Sequence, residues 1–214
     1  MNVKDRMTKN PFTVKTASSV SDARDIMKNE KVHRLPVVDD KGRLAGIVTE
    51  KDILNASPSP ASTLDVWEIS SLLTKLVVKD VMTKSVVTCP PDTPVEEAAR
   101  LLSDHDIGGL PVVEGDVVVG IITESDLFEI FIELFAIRDK GLRMTALLPD
   151  VSGELANFAG AIRDAGGDIL AFGTVRGDNP TNKLAVVKVA NIKRRALMKA
   201  VEPFVQEVRD LREL

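Results

Sequence analysis

Two short motifs contain the residues of this sequence that are best suited to chemistry. Each reads Gly-h-h-Thr-x-x-Asp, where h is an apolar residue, and the motifs end at Asp52 and Asp126. Each pattern places a Thr hydroxyl, from Thr49 or Thr123, where an apolar strand gives way to a helix whose first N–H groups have no partner within the helix. Such N–H groups favour an anion, and the Asp can accept hydrogen bonds from two ribose hydroxyls. The motifs therefore predict two positions that bind phosphate and ribose.

The same spacing also has a purely structural interpretation. Thr-x-x-Asp before an apolar run is a capping box, in which the acid turns back onto the N–H group of the N-cap residue. For one isolated motif, capping is the simpler explanation. Two motifs at matching places in a repeated sequence favour a shared binding role.

An internal repeat contains both motifs. Val-Lys-Asp-Arg-Met-Thr-Lys at residues 3–9 returns as Val-Lys-Asp-Val-Met-Thr-Lys at residues 78–84. The same offset aligns Leu-Pro-Val-Val at residues 35–38 with Leu-Pro-Val-Val at residues 110–113. The later Gly-h-h-Thr-x-x-Asp motifs align after one residue is lost in a turn, which is where a structural repeat tolerates a change.

Each repeat has the element order β-α-β-β-α, which positions its motif at the end of a hairpin strand. Extended pieces at residues 12–14 and 86–88 precede a helix, and a second helix begins directly after each motif Thr. In the second repeat we expect Thr93 to be the N-cap and Pro94 the first helical residue. The Ser- and Pro-rich residues 57–62 indicate a loop, and residues 64–76 predict one helix between the repeats.

The repeated openings, the Leu-Pro-Val-Val strands and the Gly-h-h-Thr-x-x-Asp endings together resemble a CBS-domain pair, also called a Bateman module. The resemblance covers residues 1 to about 135. It implies two repeats packed about a pseudo-two-fold axis with two clefts between them, and a homodimer. It also implies binding of AMP, ADP, ATP or S-adenosylmethionine, alone or with Mg²⁺, with no cofactor required.

The resemblance implies that Thr49 and Asp52 hold phosphate and ribose in one cleft, and Thr123 and Asp126 in the other. Together with residues near the motifs, they form the predicted nucleotide-binding sets. In the first repeat these are Thr13, Val14, Lys15, His33, Arg34, Leu35, Pro36, Thr49, Lys51 and Asp52. In the second repeat they are Thr88, Cys89, Pro90, Ile107, Gly108, Gly109, Leu110, Pro111, Thr123, Ser125 and Asp126.

The two sets differ in charge. Lys15, Arg34 and Lys51 of the first set correspond to Pro90, Gly109 and Ser125 of the second. We therefore expect the cleft of the first motif to prefer a ligand with more phosphates. The alternative is that these cations are solvated surface residues.

Residues 139–214 do not follow the repeat. They predict strands at 142–148, 169–175 and 183–189 and helices at 153–164 and 193–207, with room for a closing strand. This order is typical of a ferredoxin-like layer. The turn from Asp150 through Ser152 and Gly153 to Leu155 resembles the ligand turn of ACT domains, with Ser152 where Pro is common. A Gly-assisted turn into a helix is the alternative.

The whole chain resembles the bacterial acetoin-utilisation CBS–ACT family, which implies a place in acetoin or central carbon metabolism. The predicted fold class is α+β, with tandem CBS repeats and a C-terminal ferredoxin-like ACT-type domain. The predicted domains are residues 1–60 and 78–138 for the two repeats, 61–77 for the segment between them, and 139–214 for the ACT-like domain.

Composition argues against several other classes of protein. The formal net charge is −4 and basic runs are absent, which disfavours nucleic acid as a partner. The single Cys89 and the lack of a long apolar run favour a cytoplasmic protein without a membrane span. The positions of His33 and His105 relative to Cys89 do not match the spacing of metal ligands. We therefore expect that the protein is not an enzyme.

The function that we expect is therefore a regulatory adenosine-nucleotide sensor, whose ligand shifts a conformation read by the ACT-like domain or by a protein partner. One alternative is an amino-acid sensor that uses the ACT-like domain, with the CBS pair as a dimerisation scaffold. Another is an interaction module with degenerate clefts, which is disfavoured because both repeats keep the Thr and the Asp.

Overall fold

The computed structural model describes residues 1–56, 65, 68 and 74–214. Contacts divide the chain into two units, Met1–Leu127 and Phe128–Leu214. Most of the segment for which a helix between the repeats is predicted lies outside the described residues. Within the described residues, no helix combines the length and the apolar character that crossing a membrane requires.

The first unit contains two three-stranded sheets, with strand orders β2-β3-β4 and β1-β6-β5. In each sheet an antiparallel hairpin carries a third, two-residue strand, and both hairpins have a register shift at the Val-Val pair of Leu-Pro-Val-Val. The strands are β1 (Thr8–Lys9), β2 (Val14–Lys15), β3 (Arg34–Val38), β4 (Leu44–Thr49), β5 (Gly109–Glu114) and β6 (Val117–Thr123). The α-helices described in the first unit are α1 (Val20–Glu30), α2 (Glu50–Ala56), α3 (Val78–Val81) and α4 (Val95–Asp104). The next helix, α5 (Glu124–Leu134), begins in the first unit and ends in the second.

The opening segments of the two repeats are exchanged. Strand β1, from the first repeat, pairs with β6 of the second, placing Thr8 opposite Ile121. In the same way Thr83 bonds with Ile47 of the first repeat, each N–H donating to the other's carbonyl over 2.9 Å. Val78 is fully buried in the core of the first repeat. Each sheet layer is therefore completed by a piece of the other repeat.

The first helices of the two repeats, α1 and α4, begin in different ways. Ser19 caps α1 in a capping box with Asp22. The N-cap of α4 is Pro94, without a side-chain cap, so the prediction of Thr93 is wrong by one residue. The carbonyl of Thr93 accepts a hydrogen bond from the N–H of Val3, and the N–H of Val95 finds the carbonyl of Met1. The exchanged N-terminus thus supplies hydrogen-bond partners at the start of α4, where no side chain caps the helix.

The extended piece predicted at residues 86–88 forms no strand in the structure. Only the neighbouring Cys89 makes an isolated bridge, with Val112. The prediction is wrong here because Val86 and Val87 line a cleft instead of pairing with a neighbouring strand.

The second unit has a four-stranded antiparallel sheet with the order β10-β7-β9-β8. Two helices pack on it, and their apolar residues Phe158, Ile162 and Leu197 are fully buried with Met144 of the sheet. The helix predicted at residues 193–207 ends earlier, and a 3-10 turn at Glu202–Phe204 leads into the closing strand. The elements are β7 (Leu142–Pro149), α6 (Glu154–Asp164), β8 (Asp168–Arg176), β9 (Asn182–Ala190), α7 (Arg194–Val201) and β10 (Glu207–Glu213).

Candidate functional site

The first unit contains two clefts, each beside one of the Thr-x-x-Asp motifs. The first cleft, with Thr49 and Asp52, has a volume of about 420 Å³. The second cleft, with Thr123 and Asp126, has a volume of about 380 Å³. Both lie within the range of roughly 300–1,000 Å³ that is usual for small-molecule sites.

Each cleft combines one repeat's motif with parts of the other repeat. The first cleft is lined by His33, Arg34, Ile47, Thr49, Glu50, Lys51, Asp52, Thr83, Ser85, Val86, Val87, Asp106, Ile107, Gly108 and Gly109. The second is lined by Thr8, Pro11, Phe12, Lys31, Val32, His33, Arg34, Gly108, Ile121, Thr123, Glu124, Ser125 and Asp126. The two linings correspond nearly position by position, because the opening segments are exchanged.

The motif side chains are held in capping-box geometry. The N–H and the hydroxyl of Thr49 both donate to Asp52 Oδ2, over 2.8 and 2.7 Å. The N–H and the hydroxyl of Thr123 donate to Asp126 Oδ2, each over 2.7 Å. Because every one of these bonds ends on Oδ2, Oδ1 of each Asp has no hydrogen-bond partner among the described residues. Capping therefore orients the carboxylates and leaves each with an acceptor oxygen for a ligand.

Arg34 lies in the wall between the two clefts and lines both. Its guanidinium stands over the Gly108–Gly109 backbone: a Cβ atom built on Gly108 would be 2.6 Å from Nη2, and one built on Gly109 would be 2.8 Å from Nη1. Burial lowers the pKa of Arg34 from its ordinary value, and the negative charge of Glu124 opposes that shift. The guanidinium of Arg34 is thus a partly desolvated cation. It occupies space that is open only because positions 108 and 109 are glycines.

The remaining charges differ between the clefts. The first cleft adds Lys51 to Arg34, facing the carboxylates of Glu50, Asp52 and Asp106. In the first cleft, His33 Nδ1 lies 2.9 Å from Glu50 Oε2.

In the second cleft the additional cation is Lys31, and the carboxylates are Glu124 and Asp126. The second lining is therefore less negative than the first. The repeat places Lys31 where the first cleft has Asp106, and this substitution outweighs the loss of a cation where Ser125 corresponds to Lys51.

Some of the residues predicted for the clefts lie elsewhere. Lys15 is 3.6 Å from Asp40 in an exposed ion pair and lines neither cleft. Cys89 is buried, and this burial raises the pKa of its thiol. The other predicted residues outside both linings are Thr13, Val14, Leu35, Pro36, Thr88, Pro90, Leu110 and Pro111.

The sequence reasoning missed the contribution of the opening segments. Thr8 and Phe12 line the second cleft, and Thr83 and Val87 line the first. The strong identity between residues 3–9 and 78–84 was the available signal, since it extends beyond what a short two-residue strand requires.

The second unit has a separate cavity of about 770 Å³. It is lined by Asp150, Thr174, Val175, Arg176, Gly177, Asn179, Pro180, Asn182 and Lys183. Asp150 lies 2.8 Å from Lys183 Nζ. Of the predicted ligand turn only Asp150 lines this cavity, whereas Ser152, Gly153 and Leu155 do not. Gly153 has φ of +87° at the N-cap of α6, a conformation that favours glycine.

Comparison with known proteins identifies relatives of the first unit. The family model of the CBS domain matches residues 3–59 and 78–133. AcuB of Vibrio cholerae, a protein assigned to acetoin utilization, is 35% identical. The match covers 64% of this chain and 95% of AcuB, with a TM-score of 0.53.

Two solved structures of similar proteins contain adenosine compounds. CBSX2, in complex with AMP, is 35% identical over 62% of this chain and 97% of its own, with a TM-score of 0.53. The CBS domain pair of protein MJ0100 is in complex with 5′-methylthioadenosine and S-adenosyl-L-methionine. It is 32% identical over 61% of this chain and 95% of its own, with a TM-score of 0.51.

A longer match is found with an enzyme. Inosine-5′-monophosphate dehydrogenase of Nitrosopumilus maritimus is 30% identical over 190 residues, which is 88% of this chain and 36% of the enzyme. The chain thus spans about a third of the length of that relative.

Proposed function

Because this chain belongs to the CBS-domain family, we propose that it is a regulatory sensor of an adenosine-containing ligand and not an enzyme. The observation that carries the proposal is the pair of clefts, each of which brings a Thr-x-x-Asp motif together with the other repeat. A ligand that contacts both repeats at once stabilises one relative arrangement of them, and the rest of the protein or a partner reads that arrangement.

The choice of an adenosine compound rests on the clefts and on the relatives. The oxygen Oδ1 of Asp52 or Asp126 is available to ribose hydroxyls, as described above. CBSX2 is in complex with AMP, and the MJ0100 pair with 5′-methylthioadenosine and S-adenosyl-L-methionine. The similarity to AcuB of Vibrio cholerae supports a place in acetoin or central carbon metabolism.

The charges of the linings support a phosphate preference opposite to the one expected from the sequence. The sequence assigned Lys15, Arg34 and Lys51 to the first cleft, but Lys15 is paired with Asp40 and Arg34 is shared. With Lys31 in place of Asp106, the second cleft is the better position for a ligand with more phosphates.

The second candidate function is an amino-acid sensor in the C-terminal unit. We include it because the β-α-β-β-α-β order and the sheet order β10-β7-β9-β8 support the proposal of a ferredoxin-like layer of the ACT type. A large cavity beside Asp150 supplies room for a small ligand. In this scheme the CBS pair is a scaffold for a homodimer.

The test is the thermal stability of the purified chain with AMP, ADP, ATP, S-adenosylmethionine, 5′-methylthioadenosine and a panel of amino acids. A ligand at about 100 times its dissociation constant adds roughly 2.7 kcal/mol to the free energy of unfolding. For a chain of this size we expect a rise in Tm of about 5–10 °C. The rise must vanish when Asp52 and Asp126 are both replaced by Ala.

The matched control is Asp22→Ala. Asp22 closes a capping box with Ser19 in the same way, its carboxylate 3.2 Å from the N–H of Ser19, but it lines neither cleft. This variant loses a cap and keeps the ligand-induced rise in Tm. A rise with an amino acid alone, abolished by Asp150→Ala, would instead establish the second candidate function.

A further inference from the structure

Arg34 has an unusual position, because it is a single charged side chain that belongs to both clefts. Among the described residues, the groups that line both are His33, Arg34 and Gly108. In the repeat, Arg34 corresponds to Gly109. The pseudo-symmetry of the two clefts is therefore broken at their shared wall, where one guanidinium stands and its counterpart is absent.

Among the described residues, the guanidinium of Arg34 has no carboxylate in direct contact with it. In the part of the chain that the structure describes, no carboxylate lies within 4.0 Å of it and it donates no hydrogen bond, although Glu124 attracts it from a greater distance. It is also half-buried and partly desolvated, which lowers its pKa. A partly desolvated cation without a counter-ion in direct contact is costly, and an anion that reaches it offsets that cost.

The glycine pair keeps the guanidinium at the wall. A Cβ atom on Gly109 would lie 2.8 Å from both Cδ and Nη1 of Arg34, and a Cβ atom on Gly108 would lie 3.0 Å from Glu124 Oε2. Any side chain at these two positions displaces Arg34. The pair therefore forms a slot that holds the cation within reach of either cleft.

We propose that Arg34 makes the two clefts compete for phosphate: an anionic ligand that recruits Arg34 in one cleft weakens the binding of a second anionic ligand in the other. This inference rests on the proposed function and names how the two sites regulate each other. Once Arg34 is neutralised from the second cleft, the first retains Lys51 against Glu50, Asp52 and Asp106. When Arg34 is instead neutralised from the first cleft, the second cleft retains Lys31 against the carboxylates of Glu124 and Asp126. A second phosphate then enters a cleft whose remaining side chains have a net negative charge, which repels it.

The test is calorimetric titration of the full chain with AMP. Asp52→Ala is expected to abolish AMP binding in the first cleft, and Asp126→Ala in the second. Each variant therefore gives the dissociation constant of the remaining cleft while the other is empty. In the unsubstituted chain, the product of the two stepwise dissociation constants is expected to exceed the product of the two single-cleft dissociation constants by about tenfold. This ratio is the coupling factor, and tenfold is within the usual range of coupling between sites.

Three further titrations identify Arg34 and its charge as the cause. Arg34→Gln, measured with the same two Asp→Ala substitutions, brings the coupling factor to about one. Gly109→Ala displaces the guanidinium without removing it and also brings the factor to about one. The uncharged 5′-methylthioadenosine, titrated into the unsubstituted chain, fills both clefts without coupling.

The matched control is Lys31→Gln, which removes a cation of the second cleft alone. It weakens AMP binding in that cleft and leaves the tenfold coupling in place. Independent filling of both clefts by AMP, coupling that survives Arg34→Gln, or equal coupling with 5′-methylthioadenosine would each overturn the inference and leave the proposed function intact. Absence of any binding by AMP and 5′-methylthioadenosine would overturn both.

Discussion

The side chain of Met7 packs on Gly120, so closely that a Cβ atom built on that glycine would overlap the Met7 sulfur. Met7 belongs to the opening segment of the first repeat, and Gly120 to strand β6 of the second. The equivalent pair is Met82 and Gly46, where a Cβ atom would lie 2.5 Å from the sulfur. Each repeat thus holds the other's opening segment through a methionine seated on a glycine, and the clefts lie beside these contacts.

The two glycines differ in what surrounds them, which predicts different costs of substitution. At Gly120 the three atoms nearest to an added Cβ all belong to the flexible side chain of Met7. At Gly46 the carbonyl oxygen of Thr83 would also be only 2.8 Å from the added Cβ. We expect Gly120→Ala to lower the free energy of unfolding by about 1 kcal/mol and Gly46→Ala by about 3 kcal/mol. Urea denaturation measures both.

A double-mutant cycle isolates the methionine contact. Met7→Ala removes the side chain that a Cβ atom on Gly120 meets, so the double variant should be about 1 kcal/mol more stable than the sum of the single changes. Met82→Ala should relieve Gly46→Ala less, because the Thr83 carbonyl remains. Equal relief at both glycines would contradict the role of the backbone oxygen.

The hydroxyl of Thr49 holds Asp52 in place before any ligand is present, since it donates to Oδ2 over 2.7 Å. Thr49→Val keeps the shape of the side chain and removes this donor. We expect it to cost about 1 kcal/mol of stability without ligand, whereas Thr49→Ser costs less because it keeps the hydroxyl. Thermal denaturation in the absence of nucleotide makes the comparison, and equal Tm values for the two variants would count against the capping contact.

Lys188 is a buried residue of β9, with 4% of its surface exposed. Its ammonium group donates to the carbonyl of Ala136 over 3.0 Å, and the carbonyl of Ile137 lies at 3.5 Å. Lys188→Met keeps the apolar stem and leaves the Ala136 carbonyl without this donor, so we expect a loss of about 2 kcal/mol. Hydrogen exchange should show faster opening around residues 134–138. The exposed Lys193→Met is the control and should have little effect.

Cys89 is predicted to react slowly while the chain is folded. Burial is the larger influence on its thiol and raises the pKa, while a hydrogen bond with Thr93 acts in the opposite direction. At pH 8 we expect iodoacetamide to modify Cys89 at least about tenfold more slowly in the folded than in the unfolded chain, because the thiolate is the nucleophile.

The same shift predicts how stability depends on pH. A thiol with a raised pKa in the folded state contributes stability that is fully present below its unfolded pKa of about 8.5. That contribution is lost as the pH rises through the folded value. Stability measured from pH 7 to 10 should therefore fall less in Cys89→Ala than in the unsubstituted chain, and identical slopes would contradict the shift.

Much of the local structure was predictable because it follows from short-range patterns. The hairpins around Leu-Pro-Val-Val, the helix that begins after Ser19 and the order of elements after residue 139 all have local signals in composition and spacing. The predicted pair of CBS repeats is confirmed by the family match at two places. The misplaced cap at Thr93 has a long-range cause, since the N-terminal residues supply hydrogen-bond partners there.

The sequence by itself determined that this protein contains two copies of one unit, and that each copy carries a Thr and an Asp at the end of a strand. Repetition and periodicity are properties of chain order, so they are visible without a fold. Only the tertiary structure decided which segments of the two copies contact each other. The exchanged opening segments bring Thr83 and Ser85 to the motif of the first repeat. Because Gly108 and Gly109 have no side chains, Arg34 can lie over them and reach both clefts. Such contacts depend on the packing of segments far apart in the chain, and a local pattern does not show which of these segments pack together.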